Sequence, residues 1–305
     1  MTAYHADLRS LRWFPNLPVS RGNLWWLRRL ITAIITMKPL ASVQITEHEA
    51  EGAKVRVYRP SQVKAPAALL WIHGGGLVMG TPRQDDGKLT RHAEELGIVI
   101  VSAYYGLAPE KPFPHGLNDL HAAWHWLLKQ ADELGVDPAR IAIGGASAGG
   151  GLCAALVQRI HDEGGQPPKA QLLVYPMLDD RTALRTDIKS TEHPVWTNKA
   201  NRVGWSSYLG DAFGAETTPE YAVPGRRLDL SGLPPAWIGV GTPDLFHDED
   251  VEYARRLEAA GVSVDLDVLD GCIHAFDGLA PDADISKHFV GQKNAFLRKA
   301  LELPA

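Results

Sequence analysis

Gly145-Ala146-Ser147-Ala148-Gly149 is the stretch on which the reading of this chain turns. The residues before it, 140–144, read as a short apolar strand. Residues 147–162 read as a helix. A G-x-S-x-G run at such a turn needs glycine on both sides, because strand and helix approach too closely for side chains. The serine then occupies a strained backbone that lifts its hydroxyl clear of the sheet. The helix N-terminus behind it offers partial positive charge to a developing anion. The bland alternative is a glycine-rich turn with a serine N-cap. By composition alone the motif arises in about one chain in ten of this length, so its placement decides the matter.

Working outward, strands are expected over 54–58, 67–72, 98–103, 171–175, 236–241 and 263–269, and helices over 117–134, 248–260 and 285–301. Strands alternating with helices imply an α/β fold with a mostly parallel central sheet and helices on both faces. Ligands bind such sheets beyond the carboxyl ends of the strands. Two segments break the alternation, residues 1–45, rich in Trp and Leu, and residues 178–225. Both are expected to form a helical cap over the site, with residues 46–305 as the catalytic domain and 178–225 as an insertion in it. Trp13, Phe14, Trp25 and Trp26 would either line a pocket or anchor the cap.

His73-Gly74-Gly75-Gly76 directly follows the strand expected at 67–72. Backbone amides unobstructed by side chains are what an oxyanion needs, so Gly74 and Gly75, with Ala148 after the serine, are the candidate oxyanion hole. A phosphate-binding loop is the rival, but no GxxxxGK[ST] or GxGxxG follows. His73 is expected to orient the loop rather than to react.

A serine hydroxyl needs a base, and at an elbow of this type the chain order is serine, acid, histidine. Downstream histidines are His161, His193, His247, His274 and His288. His274 follows the strand at 263–269 in an edge loop, which makes it the candidate base. Asp244 follows the strand at 236–241 and is the candidate acid, with Asp179 as rival. Asp248, Glu249 and Asp250 read as first-turn carboxylates of the next helix.

The composition excludes several classes. The 305 residues carry 31 basic and 36 acidic side chains, a net charge of −5, with no basic run, so no nucleic acid partner is expected. Cys153 and Cys272 are too few and too far apart for a disulfide framework or a zinc site, and read as buried apolar side chains. The most apolar window, 24–37, is interrupted by Arg28 and Arg29 and reads as an amphipathic helix, not a membrane span. A cytoplasmic location follows by default.

These motifs together resemble the bacterial hormone-sensitive-lipase family of esterases, of the α/β-hydrolase fold. The likeness runs through His73-Gly74-Gly75-Gly76, Tyr105-Gly106-Leu107-Ala108-Pro109-Glu110, the serine elbow, Tyr175-Pro176, Asp244 with Asp248-Glu249, and His274-Ala275-Phe276. The resemblance implies a Ser147–Asp244–His274 triad, an oxyanion hole from Gly74, Gly75 and Ala148, an N-terminal cap, and no cofactor. It also implies small-molecule esters of short to medium acyl chain as substrates, and a homodimer. Amidase or peptidase action by the same triad, or ligand binding without turnover, are the alternatives. The family's Asp before the serine is Ala146 here, and its Arg after Tyr105 is Gly106. Those two lost charges are expected to have been partners.

Overall fold

The computed structural model describes residues 4–14, 16, 18–34, 38–50, 52–189 and 193–304. Eight strands form one sheet: β1 (Val43–Ala50), β2 (Ala53–Pro60), β3 (Ala68–Ile72), β4 (Val99–Tyr104), β5 (Ile141–Ala146), β6 (Gln171–Val174), β7 (Ala236–Gly241) and β8 (Val264–Leu269). Their order across the sheet is β1-β2-β4-β3-β5-β6-β7-β8. β2 runs antiparallel to both β1 and β4, and every pairing from β4 to β8 is parallel. The central strands β3 and β6 are buried along their whole length, as parallel strands covered on both faces must be.

The helices are α1 (Leu24–Ile34), α2 (Asp86–Leu96), α3 (His115–Lys129), α4 (Ala131–Leu134), α5 (Ala148–Glu163), α6 (Asn198–Leu209), α7 (His247–Ala259), α8 (Phe276–Leu279) and α9 (Asp284–Ala300). One buried cluster joins α1, α3, α5 and α7 to one face of the sheet. A second joins α2, α8 and α9 to the other. The helix expected over 117–134 is two, because the chain breaks at Gln130 and α4 ends on Gly135 in the left-handed region. Three elements were not anticipated: β1, α2 and the single turn α8. β1 is an edge strand whose charged residues hide its alternation, and the buried positions of α2 mix Leu89, Ala93 and Leu96 with Gly87, Thr90 and His92. Of the helix expected over 24–37, α1 supplies residues 24–34, and 35–37 lie outside the described residues.

The N-terminal stretch touches the sheet in two separate places. A 3₁₀ turn, Ala6–Trp13, buries Leu8 and Leu11 in the cluster that holds Cys272 and Phe276. The His5 amide donates to Gly271 O at 2.9 Å. α1 buries Leu24 and Leu27 on the opposite face. Arg28 on α1 donates from Nε to Val78 O at 2.7 Å and from Nη2 to Ala108 O at 2.9 Å. Trp13, Trp25 and Trp26 are 78%, 62% and 48% exposed, so anchoring falls to the leucines and Arg28, not to the tryptophans. The boundary expected at residue 45 lies inside β1. No helix among the described residues is long and apolar enough to cross a membrane.

Candidate active site

The elbow is built as its glycines require. Ser147 ends β5 and starts α5 with φ 57° and ψ −121°, a strained backbone of the kind found where function holds it. A Cβ on Gly145 would stand 2.2 Å from Gly149 O, and one on Gly149 would stand 2.1 Å from Ile72 O. Strand and helix are therefore in backbone contact, and the turn is pinned by Ser147 N donating to Val174 O at 2.8 Å. Ser147 itself is only 8% exposed.

The loop after β3 lies against this elbow. A Cβ on Gly74 would come within 2.9 Å of Ala146 O and 3.4 Å of the Ser147 side chain. Gly75 has φ 132°, and a Cβ there would meet Met79 O at 2.0 Å, so the loop's path depends on glycine. The amides of Gly74, Gly75 and Ala148 donate to no protein acceptor among the described residues. His73 is buried, stacks on Tyr105 at 4.3 Å, and its Nδ1 donates to Gly74 O at 2.9 Å. Burial lowers its pKa to about 4, so the ring is neutral. Tyr105 Oη donates back to His73 O at 2.9 Å. His73 thus braces the loop, as its sequence position suggested.

The candidate base and acid converge on the serine. His274 Nε2 lies 3.0 Å from Ser147 Oγ, and His274 Nδ1 lies 2.8 Å from Asp244 Oδ2. The other Asp244 oxygen accepts from the Phe246 amide at 3.0 Å. With Oδ2 accepting, Nδ1 carries the ring proton and Nε2 presents its lone pair to the hydroxyl. All three side chains are buried. The acid and base loops are held together locally: a Cβ on Gly241 would stand 1.6 Å from Cys272 O, and Gly271 N donates to Thr242 Oγ1 at 3.0 Å. The rivals lie elsewhere. Asp179 pairs with Arg181, His161 and His288 are exposed, and His247 contacts Asp248.

Several contacts around the triad were not read from the sequence. Tyr175 sets its ring edge-on to His274 at 4.8 Å, and Phe246 does the same at 5.3 Å. Tyr175 Oη donates to Asp277 Oδ1 at 2.7 Å, and Lys88 Nζ stands 3.5 Å from Asp277 Oδ2. From the 178–225 stretch, Trp196 covers the glycine loop, since a Cβ on Gly76 would meet its ring at 2.0 Å. His193 Nδ1 donates to Pro243 O at 3.0 Å, beside Asp244. Glu249 is in the first turn of α7 as expected, but it is half-buried and turned inward, accepting from the Leu178 and Asp179 amides and from Thr182 Oγ1. Nothing in a linear reading marks these contacts, because each joins segments far apart in sequence.

The two departures from the family pattern are not partners. A Cβ at Gly106 would face Lys111 and Asp119, whose Oδ2 accepts the Gly106 amide at 2.7 Å on the α3 side. Ala146 packs with the cluster on the other face of the sheet.

Residues 69–278 match a family model described as alpha/beta hydrolase fold. Esterase LipI of Mycobacterium tuberculosis is 36% identical over 221 residues, 72% of this chain and 68% of that protein. An ethyl acetate hydrolase of Pseudomonas putida is 34% identical over 253 residues, 78% of this chain and 75% of its own. A solved structure titled bacterial heroin esterase superposes with a TM-score of 0.89 at 35% identity, covering 98% of both chains. The chain belongs to the alpha/beta hydrolase family, in its bacterial hormone-sensitive-lipase branch.

Proposed function

We propose that the chain is a carboxylic ester hydrolase working by acyl transfer at Ser147. The observation that carries this is the unbroken line Ser147 Oγ, His274 Nε2, His274 Nδ1, Asp244 Oδ2, with both links at hydrogen-bond distance. Ser147 Oγ attacks the ester carbonyl while His274 Nε2 takes its proton. Asp244 holds the reactive tautomer and stabilises the imidazolium. Negative charge develops on the carbonyl oxygen and is received by the free amides of Gly74, Gly75 and Ala148. One such donor is worth about 3–4 kcal/mol in the transition state. His274 then protonates the departing alcohol. Water, deprotonated by the same imidazole, releases the acid and restores Ser147.

The substrates we infer are small-molecule esters of short to medium acyl chain. The similarity to an ethyl acetate hydrolase supports this, and so does Trp196 lying over the glycine loop. We read α1 and the 178–225 stretch as the cap, because Arg28 and Trp196 both touch the segment around His73–Val78.

The test is a panel of p-nitrophenyl esters of increasing acyl length beside matched p-nitroanilides, run on the wild type and on Ser147→Ala. We expect ester turnover to peak at short or medium chains, anilides to be cleaved far more slowly, and Ser147→Ala to lose roughly four to six orders of magnitude in kcat. A Ser147→Ala variant that keeps more than a few per cent of the rate would remove the assignment.

A further inference from the structure

We propose that His121, His125 and Glu163 form a divalent transition-metal site that clasps α3 to the far end of α5, with Zn²⁺ as its natural class of ligand. His121 and His125 stand four residues apart on α3 and so share a face. Glu163 is the last residue of α5. His121 Nε2 lies 2.6 Å from Glu163 Oε2 and 3.2 Å from His125 Nε2. The three ligand atoms all fall within 4.8 Å of one another.

Protons alone fit this trio poorly. A carboxylate only accepts, so His121 Nε2 must carry a hydrogen pointed at Glu163. That nitrogen then has no lone pair to accept from His125, and its one hydrogen is already used. A cation draws on all three lone pairs at once. With zinc–ligand bonds of about 2.0–2.2 Å, tetrahedral ligands sit about 3.4 Å apart. The two imidazole nitrogens already stand near that spacing. The carboxylate oxygen must withdraw somewhat, which an exposed side chain at a helix end does by rotation.

The surroundings favour a ligand set. Arg159 Nε donates to Glu163 Oε1 at 2.8 Å, leaving Oε2 aimed at the rings. Arg159 is held in turn by Asn118 Oδ1 on α3, at 2.7 Å from Nη1. Outer contacts of this kind fix the direction of a metal-binding carboxylate. Two imidazoles and one carboxylate suit Zn²⁺, with Cu²⁺ and Ni²⁺ as competitors, and leave a fourth position for water. α5 spans 16 residues, so Glu163 stands about 24 Å from Ser147 along the helix axis. Occupancy should therefore act on stability and leave the ester chemistry alone.

The experiment uses full-length protein treated with EDTA and dialysed, then titrated with zinc chloride by calorimetry and followed in parallel by thermal unfolding. The expected result is one Zn²⁺ per chain, with a melting temperature that climbs with zinc concentration. In His121→Ala/His125→Ala both effects vanish, while ester turnover measured without zinc stays at the wild-type rate, which shows the variant is folded. Glu163→Gln should weaken binding without changing turnover. Zinc binding of unchanged stoichiometry and affinity in the double variant would overturn the proposal. So would a wild type that takes up no zinc at millimolar concentration.

Discussion

At the scale of single residues, His73 shows how a side chain with no part in the chemistry still sets the conditions for it. Its ring is buried against Tyr105, donates to Gly74 O, and is held neutral by burial, with a pKa lowered from 6.5 to about 4. In the unfolded chain the same imidazole binds a proton below about pH 6.5. Between those two values the unfolded state holds more protons than the native state, so stability is present above pH 6.5 and is lost as pH falls toward 4. That span corresponds to about 3 kcal/mol. His92, also buried and also lowered, adds a loss of the same sign. Replacing His73 with Asn keeps a donor for Gly74 O but removes this titration. Urea unfolding at pH 7 and pH 4 should show a drop in stability that is about 3 kcal/mol smaller in His73→Asn than in the wild type. Equal drops in the two proteins would show that His73 stays solvated or charged. The His73-Gly74-Gly75-Gly76 motif was legible in the sequence because glycine amides have a recognisable reason to be bare. The ring's partners were not, since Tyr105 is brought to it by the pairing of β3 with β4.

At the scale of elements, the loop carrying His274 is held by two helices that the local sequence does not connect to it. Asp277 in α8 is fully enclosed by Tyr175 after β6, Lys88 on α2, and the charge of Lys293 on α9. Burial pushes the Asp277 carboxyl up, but the two lysine charges outweigh it and bring the pKa down to about 2. Burial brings Lys293 down to about 8. Asp277→Asn would take from the buried Lys293 and the half-buried Lys88 one of their two shared counter-charges, leaving Asp85 as the other, at a cost of about 3 kcal/mol. Tyr175→Phe removes one donor while keeping the ring beside His274, and should cost about 1–3 kcal/mol. The checks are chemical denaturation for stability and kcat against KM for ester turnover. We expect Asp277→Asn to lower kcat more than Tyr175→Phe, because α8 begins two residues after His274. If both variants matched wild-type stability and kcat, the brace would have no energetic role. α2 escaped a periodicity reading because half of its buried positions are Gly, Thr and His.

At the scale of the whole molecule, the N-terminal segment is tied to the site through one guanidinium. Arg28 bonds to Val78 O just beyond the glycine loop, to Ala108 O, and to the Glu110 carboxylate at 2.8 Å. Arg28→Ala would leave two backbone acceptors without this donor. It should cost about 1–3 kcal/mol in thermal or denaturant unfolding. Because the same carbonyls flank the proposed oxyanion loop, KM for a short p-nitrophenyl ester should rise while the serine remains reactive. Unaltered KM and unaltered stability would mean that α1 does not steady the loop. The sequence alone determined the strand–helix alternation, the elbow and the glycine loop, since these follow from side-chain period and from the steric demands of a tight turn, both local properties. Chain order and edge-loop position already point to Asp244 and His274; tertiary structure decided that they stand within hydrogen-bond reach of one another and of Ser147, where α1, Trp196 and Tyr175 lie around them, and that positions 106 and 146 are not partners. Those outcomes depend on sheet order and on loops converging at one edge, distances that no spacing along a chain encodes.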